Sequence, residues 1–190
     1  MKIFFTRKFT RHVGDIDMGS RLLGLVLREK CGLPADVSIH RGSHGKPFVD
    51  GSYGVHFSVT DTESMWMCSV ADYVHGTDAE YYLRNVRDAD KLASRFMTEA
   101  ESRYVCSAST PEEQSAQFTY LWTRKEAYLK YSGEGLAGIS SVPPVFTAPE
   151  GTDLRTFVYE GLYVSICAPE NSLSDYPDFI CIDRQEEEPI

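Results

Sequence analysis

The stretch from about Pro111 to Tyr131 constrains this chain most, because it reads as one long helix that must lay an apolar side against another layer. Pro111 with Glu112 and Glu113 suits a first turn, where a missing N–H costs nothing and carboxylates meet the positive end of the helix dipole. Gly133 suits the stop. Phe118, Leu121, Trp122 and Leu129 supply the core-facing side.

Strands are predicted on both sides of this helix. Met1 to Thr6 is apolar and β-prone, 55–60 alternates, and Met65 to Ala71 is a further apolar run. Val37 to His40 alternates briefly ahead of a turn at Gly45-Lys46-Pro47, and later strands are expected at Arg155 to Tyr159, Tyr163 to Ala168 and Phe179 to Ile182. A first helix, capped by Ser20, runs through Leu22, Leu23, Val26 and Leu27 until Cys31-Gly32-Leu33-Pro34. Polar helices are expected near Asp90 to Phe96 and Glu99 to Tyr104. Helix followed by strands thus appears twice, so the expected fold is α+β with two similar halves, 1–75 and 76–190.

Charge and composition narrow the function. A net charge of −9 and pI near 5.0 argue against nucleic acid as a partner, which needs clustered Lys and Arg. No apolar run reaches the ~18 residues of a membrane span, and the opening residues are too short and unflanked for a signal peptide, so a cytoplasmic protein without membrane contact is expected. Five scattered cysteines suggest neither disulfides nor zinc. The acidic close, Gln185 to Ile190, reads as a frayed tail.

Two groups of residues carry candidate chemistry. Asp78 and Glu80 are one residue apart, so on an extended backbone their carboxylates share a side and can share a hard cation; the bland alternative is a solvated acidic pair. Glu126 and Lys130 are neighbours on one helix face, with Lys125 to one side; the bland alternative is an ordinary i,i+4 salt bridge.

In three ordered blocks the chain resembles 4′-phosphopantetheinyl transferases of the surfactin type. Gly45-Lys46-Pro47-Phe48 is like the family's G-K-P segment, and Gly76-Thr77-Asp78-Ala79-Glu80 is like its G-x-D-x-E. Phe118 to Lys130 is similar to F-x-x-x-W-x-x-K-E-A-x-x-K at every specified position. The resemblance implies a pseudo-dimer of two related halves with coenzyme A in the cleft between them. It further implies transfer of the phosphopantetheine arm to a serine of an acyl- or peptidyl-carrier protein, by a monomer. Asp78, Glu80 and Glu126 would hold Mg²⁺, with Glu126 also the base and Lys130 and Lys125 neutralising phosphate charge. Lys46, Pro47, Thr60 and Arg21 would contact coenzyme A, and a carrier would dock near Arg95, Phe96, Met97 and Tyr104.

The chain also departs from the pattern. Asp61 stands where the family commonly has a phosphate-facing histidine, with His44 and His56 out of register. The basic residues ahead of the first helix are fewer than is typical: Arg7, Lys8, Arg11 and Arg21 form the main cluster. These departures motivate an alternative, a weakened relative that binds coenzyme A or a carrier without efficient transfer.

Overall fold

A computed structural model describes residues 1–173 and 176–183, so the acidic close at 185–190 lies outside the described residues. Strand β1 (Lys2–Thr6) leads through a short hairpin, β2 (His12–Val13) and β3 (Ile16–Asp17), into helix α1 (Met18–Leu25), whose end widens into a looser turn over Val26–Lys30. A second short hairpin, β4 (His40–Arg41) and β5 (Pro47–Phe48), precedes β6 (His56–Asp61), β7 (Trp66–Ala71) and β8 (Gly76–Tyr81). Helices α2 (Ala89–Phe96), α3 (Glu99–Cys106) and α4 (Pro111–Ser132) follow, then β9 (Thr152–Tyr159), β10 (Leu162–Pro169) and β11 (Asp178–Cys181).

Two sheets organise these elements, one in the order β11-β1-β7-β6 and one in the order β8-β10-β9. Alternation along the strands builds three cores. Phe4 faces α1 with Leu23, Val26 and Leu27, whereas Ile3 and Phe5 face the other sheet, meeting Val164 and Ile166 of β10. Cys167, on the opposite side of β10, packs under α4 with Phe118, Leu121 and Leu129. The chain is thus layered helix, sheet, sheet, helix. β11, near the end of the described residues, joins the first sheet by pairing parallel with β1, Ile3 opposite Phe179.

The long helix is bounded as its sequence predicts. Thr110 caps it by accepting from the Glu113 N–H at 3.1 Å, Pro111 fills the first turn, and Gly133 ends it at φ 79°. Two expectations change. The first helix is capped by Asp17, whose carboxylate accepts from the N–H groups of Gly19 and Ser20; Ser20 lies inside the helix and donates its hydroxyl back to Asp17 at 2.7 Å. The Val37 to His40 strand shrinks to β4, because the Val37 N–H closes a turn onto Pro34 O at 3.1 Å.

Candidate active site

The site forms where β8 meets α4, and Gly76 sets how close they come. A Cβ there would stand 2.1 Å from the Ala127 carbonyl oxygen and 2.3 Å from the Tyr131 amide nitrogen, so the start of β8 lies directly against the backbone turn of α4 that carries Lys130. Two residues on, on the same side of the strand, Asp78 meets that turn. It is 4% exposed and its Oδ1 accepts from Lys130 Nζ at 2.7 Å. Ala79, the next residue, points into the core between the sheets. The pairing of Asp78 with Lys130 across two elements is more than the i,i+4 salt bridge that the helix alone suggested.

Thr60 of β6 donates to the same Asp78 Oδ1 at 2.9 Å, so its hydroxyl serves the carboxylate rather than opening towards a ligand. Asp78 Oδ2 is buried without a hydrogen-bond partner. An unpartnered carboxylate oxygen in a buried position is what a hard cation seeks. Glu80 pairs with Arg84, four residues on in the turn that follows β8.

Glu126, across from these two acids, is pushed up to about 7 by burial, then by the charge of Asp78; Lys130 and the Trp122 indole N–H pull weakly the other way, and Glu80 adds a small push. Three carboxyls of one sign thus influence one another at the crossing of β8 and α4. Their oxygens are the donor type a divalent ion such as Mg²⁺ takes, but among the described residues no three acidic, His or Cys side chains stand together as a metal cluster.

Beside this crossing opens a cleft of about 410 Å³, lined by Lys46, Pro47, Val59, Glu126, Lys130 and Leu136 among others. Lys46 arrives on the turn between β4 and β5, where Gly45 adopts φ 84° and the Gly42 N–H bonds Lys46 O at 2.9 Å. Its Nζ donates to His75 O at 2.9 Å, and burial followed by the neighbouring charge of Lys130 lowers its pKa to about 8. Lys46 and Lys130 thus both line the cleft, close enough for the charge of Lys130 to weigh on Lys46.

Several expected residues stand elsewhere. Lys125 is fully buried on the other side of α4, paired with Glu101 Oε2 at 3.0 Å and donating to Val142 O at 3.2 Å, so it is a structural cation rather than a phosphate contact. Arg21 is exposed on α1 and is not among the residues lining the cleft. Arg7 is engaged by Glu160 and Asp183. Asp61 is paired with the exposed Arg11, whose Nη2 lies 3.2 Å from Oδ1, which offsets part of the repulsion expected of that substitution. At the supposed docking patch Arg95 and Tyr104 are exposed, whereas Phe96 and Met97 pack against the core under α4, Phe96 edge-on to Trp122.

Sequence reasoning missed His44, which lines the cleft and whose Nδ1 lies 2.9 Å from Gly133 O, the close approach being possible because Gly135 has no Cβ to strike it. The signal was the pair of glycines just past the helix end.

Residues 75–167 match the family model described as the 4′-phosphopantetheinyl transferase superfamily. The chain is similar to that superfamily over this segment. It is 32% identical over 155 residues to the 4′-phosphopantetheinyl transferase HetI of Nostoc sp., covering 78% of this chain and 64% of the relative. With the 4′-phosphopantetheinyl transferase gsp of Aneurinibacillus migulanus it shares 30% over 135 residues, 67% of this chain and 54% of the relative. A 4′-phosphopantetheinyl transferase of Bacillus subtilis is 28% identical over 121 residues, 63% of this chain and 52% of the relative. The chain therefore spans about half to two thirds of the length of these curated relatives. The matched segment 75–167 contains β8 and α4 whole, so the superfamily relation falls on the two elements that build the site.

Proposed function

We propose that this chain moves the 4′-phosphopantetheine arm of coenzyme A to a serine of an acyl- or peptidyl-carrier protein, with Mg²⁺ at Asp78, Glu80 and Glu126. The observation that carries the reading is the meeting of Lys46, Lys130 and Glu126 on one cleft wall, with the half-satisfied Asp78 behind Lys130. A cleft of this size lined by two ammonium groups and apolar Pro47, Val59 and Leu136 suits a ligand with a pyrophosphate and an apolar face. We read the polypeptide as two halves meeting at residue 75, acting as a monomer.

In this reading Lys46 and Lys130 bind and orient the pyrophosphate. Glu126, held near neutrality, takes the proton from the carrier serine hydroxyl, directly or through one water. The serine oxygen then forms a bond to the β-phosphorus while the bond from that phosphorus to the bridging oxygen breaks. The electron pair leaves with adenosine 3′,5′-bisphosphate, whose growing charge Lys130 faces. A divalent cation, when bound, would supply charge neutralisation at the pyrophosphate oxygens. The ion pair between Arg11 and Asp61 lessens the electrostatic objection to coenzyme A phosphates in the cleft.

Intact-mass analysis of several apo carrier proteins, incubated with this chain, coenzyme A and Mg²⁺, tests the proposal. A phosphopantetheine-sized gain that disappears with Glu126→Ala supports it. No gain with any carrier, while coenzyme A still raises the melting temperature, returns the binding-only alternative.

A further inference from the structure

Both acids that β8 turns towards α4 already hold a cation belonging to the protein. Lys130 occupies Asp78 Oδ1, and Lys130 has a place in the proposed reaction. Arg84 occupies Glu80 and has none. Nor is Arg84 a loose surface side chain. Its N–H bonds Tyr81 O at 3.1 Å and its carbonyl accepts from Ser115 Oγ of α4 at 2.7 Å, so a turn tied to the long helix delivers the guanidinium to Glu80. The side chains of Arg84 and Glu80 are 37% and 25% exposed, so the pair is partly withdrawn from water. Close by, Asp78 Oδ2 is buried with no partner at all. The protein thus leaves one Asp78 oxygen unsatisfied while Oε1 of the neighbouring Glu80 is engaged by an arginine.

We propose that Arg84 is a built-in competitor for the divalent cation, holding Glu80 away from Asp78 and Glu126 so that the ion must displace a guanidinium to gain its third carboxylate. The inference rests on the reading that these three acids hold the cation. Its physical basis is simple. A divalent ion and a guanidinium seek the same two oxygens, an arginine keeps its charge at every accessible pH, and two cations sharing one carboxylate repel. Arg84 therefore weakens the site for the bare ion. A structural role for Arg84, in which it orients Glu80 for the ion, predicts the opposite sign.

Binding of Mn²⁺ to the whole chain, read from the paramagnetic resonance signal of the free ion without coenzyme A or carrier, separates these. Arg84→Met should bind Mn²⁺ about tenfold more tightly than wild type, a change of about 1.4 kcal/mol. Arg84→Lys, which keeps a cation in place, should stay near wild type. The gain should vanish on a Glu80→Gln background, because the competition is for that carboxylate. Equal or weaker binding by Arg84→Met, with wild type still binding, overturns the inference and leaves the proposed cation site standing. No binding by wild type or by Arg84→Met overturns both.

Discussion

Glu126 and Lys125 are adjacent in sequence and opposite in consequence, because successive helical residues point about 100° apart. Glu126 is held near 7 in the cleft, chiefly by burial. A carboxyl whose folded pKa is raised destabilises the fold as pH climbs from its ordinary value near 4.5 through 7, since the folded chain then has to carry a poorly solvated charge. Glu126→Gln should accordingly melt like wild type at pH 5 and be more stable at pH 8 without divalent ions, by about 2 kcal/mol, as calorimetry would show. Lys125 lies under the helix with its charge on Glu101, whose carboxylate also accepts from the Val145 N–H at 2.8 Å and the Thr98 N–H at 2.9 Å. Lys125→Met strands that buried carboxylate and should cost about 3–5 kcal/mol in urea unfolding. Its effect on coenzyme A affinity, for the protein still folded, should be small. A large loss of affinity at unchanged stability would return Lys125 to the phosphate-binding role its motif position suggested.

At the scale of elements, β8 and α4 act as one unit. Gly76 makes their contact possible, and Gly76→Ala would place a methyl where the Ala127 carbonyl and the Tyr131 amide now stand. The two elements would have to separate, carrying Asp78 away from Lys130. A stability loss of about 3 kcal/mol or more is expected by thermal melting, together with weaker binding of anions in the cleft. Of the two, α4 is legible in the sequence from its Pro111 entry and Gly133 exit, whereas β8 is not predicted as a strand and only the shared side of its two acids, on an extended backbone, is. What the sequence could not carry was rotation and reach. The K-E pair in the helix motif does not say which side chain points inward. Likewise a threonine on β6 does not reveal that its hydroxyl crosses to the next sheet and bonds Asp78. The sequence favours Arg21 over Arg7 and Arg11 from its place near the first helix, but only the structure shows that it stands exposed away from the cleft while Arg7 and Arg11 are ion-paired. Short elements were lost for a related reason. The β4–β5 and β2–β3 hairpins pair two residues each, too few for alternation to register.

Across the whole molecule the two sheets are joined at a polar seam as well as through their apolar core. His75 is 1% exposed, and its ring nitrogens lie 2.8 Å from Ser69 Oγ and 3.0 Å from Tyr73 O. Ser69 Oγ also meets Thr77 Oγ1 at 2.7 Å, and the Thr77 N–H bonds Ser58 Oγ at 2.9 Å, so β6, β7 and β8 share one network. The His75 carbonyl holds Lys46 at the cleft wall. Burial lowers the His75 pKa from 6.5 to about 4, with the Lys46 and His56 charges lowering it further and backbone hydrogen bonds opposing. The sign follows from proton counting. Between pH 4 and 6.5 the unfolded chain takes a proton that the folded chain refuses, so this residue makes stability fall as pH falls through that window. The full effect is about 3 kcal/mol at most. His75→Gln keeps one donor and one acceptor but does not titrate, so its unfolding free energy should decline less than that of wild type between pH 6.5 and 4. Glu126 acts in the reverse sense over an overlapping range, so the two contributions oppose each other and the two single variants are the way to see them apart. Matching slopes for wild type and His75→Gln would mean that water reaches the seam and the network does not exclude the proton.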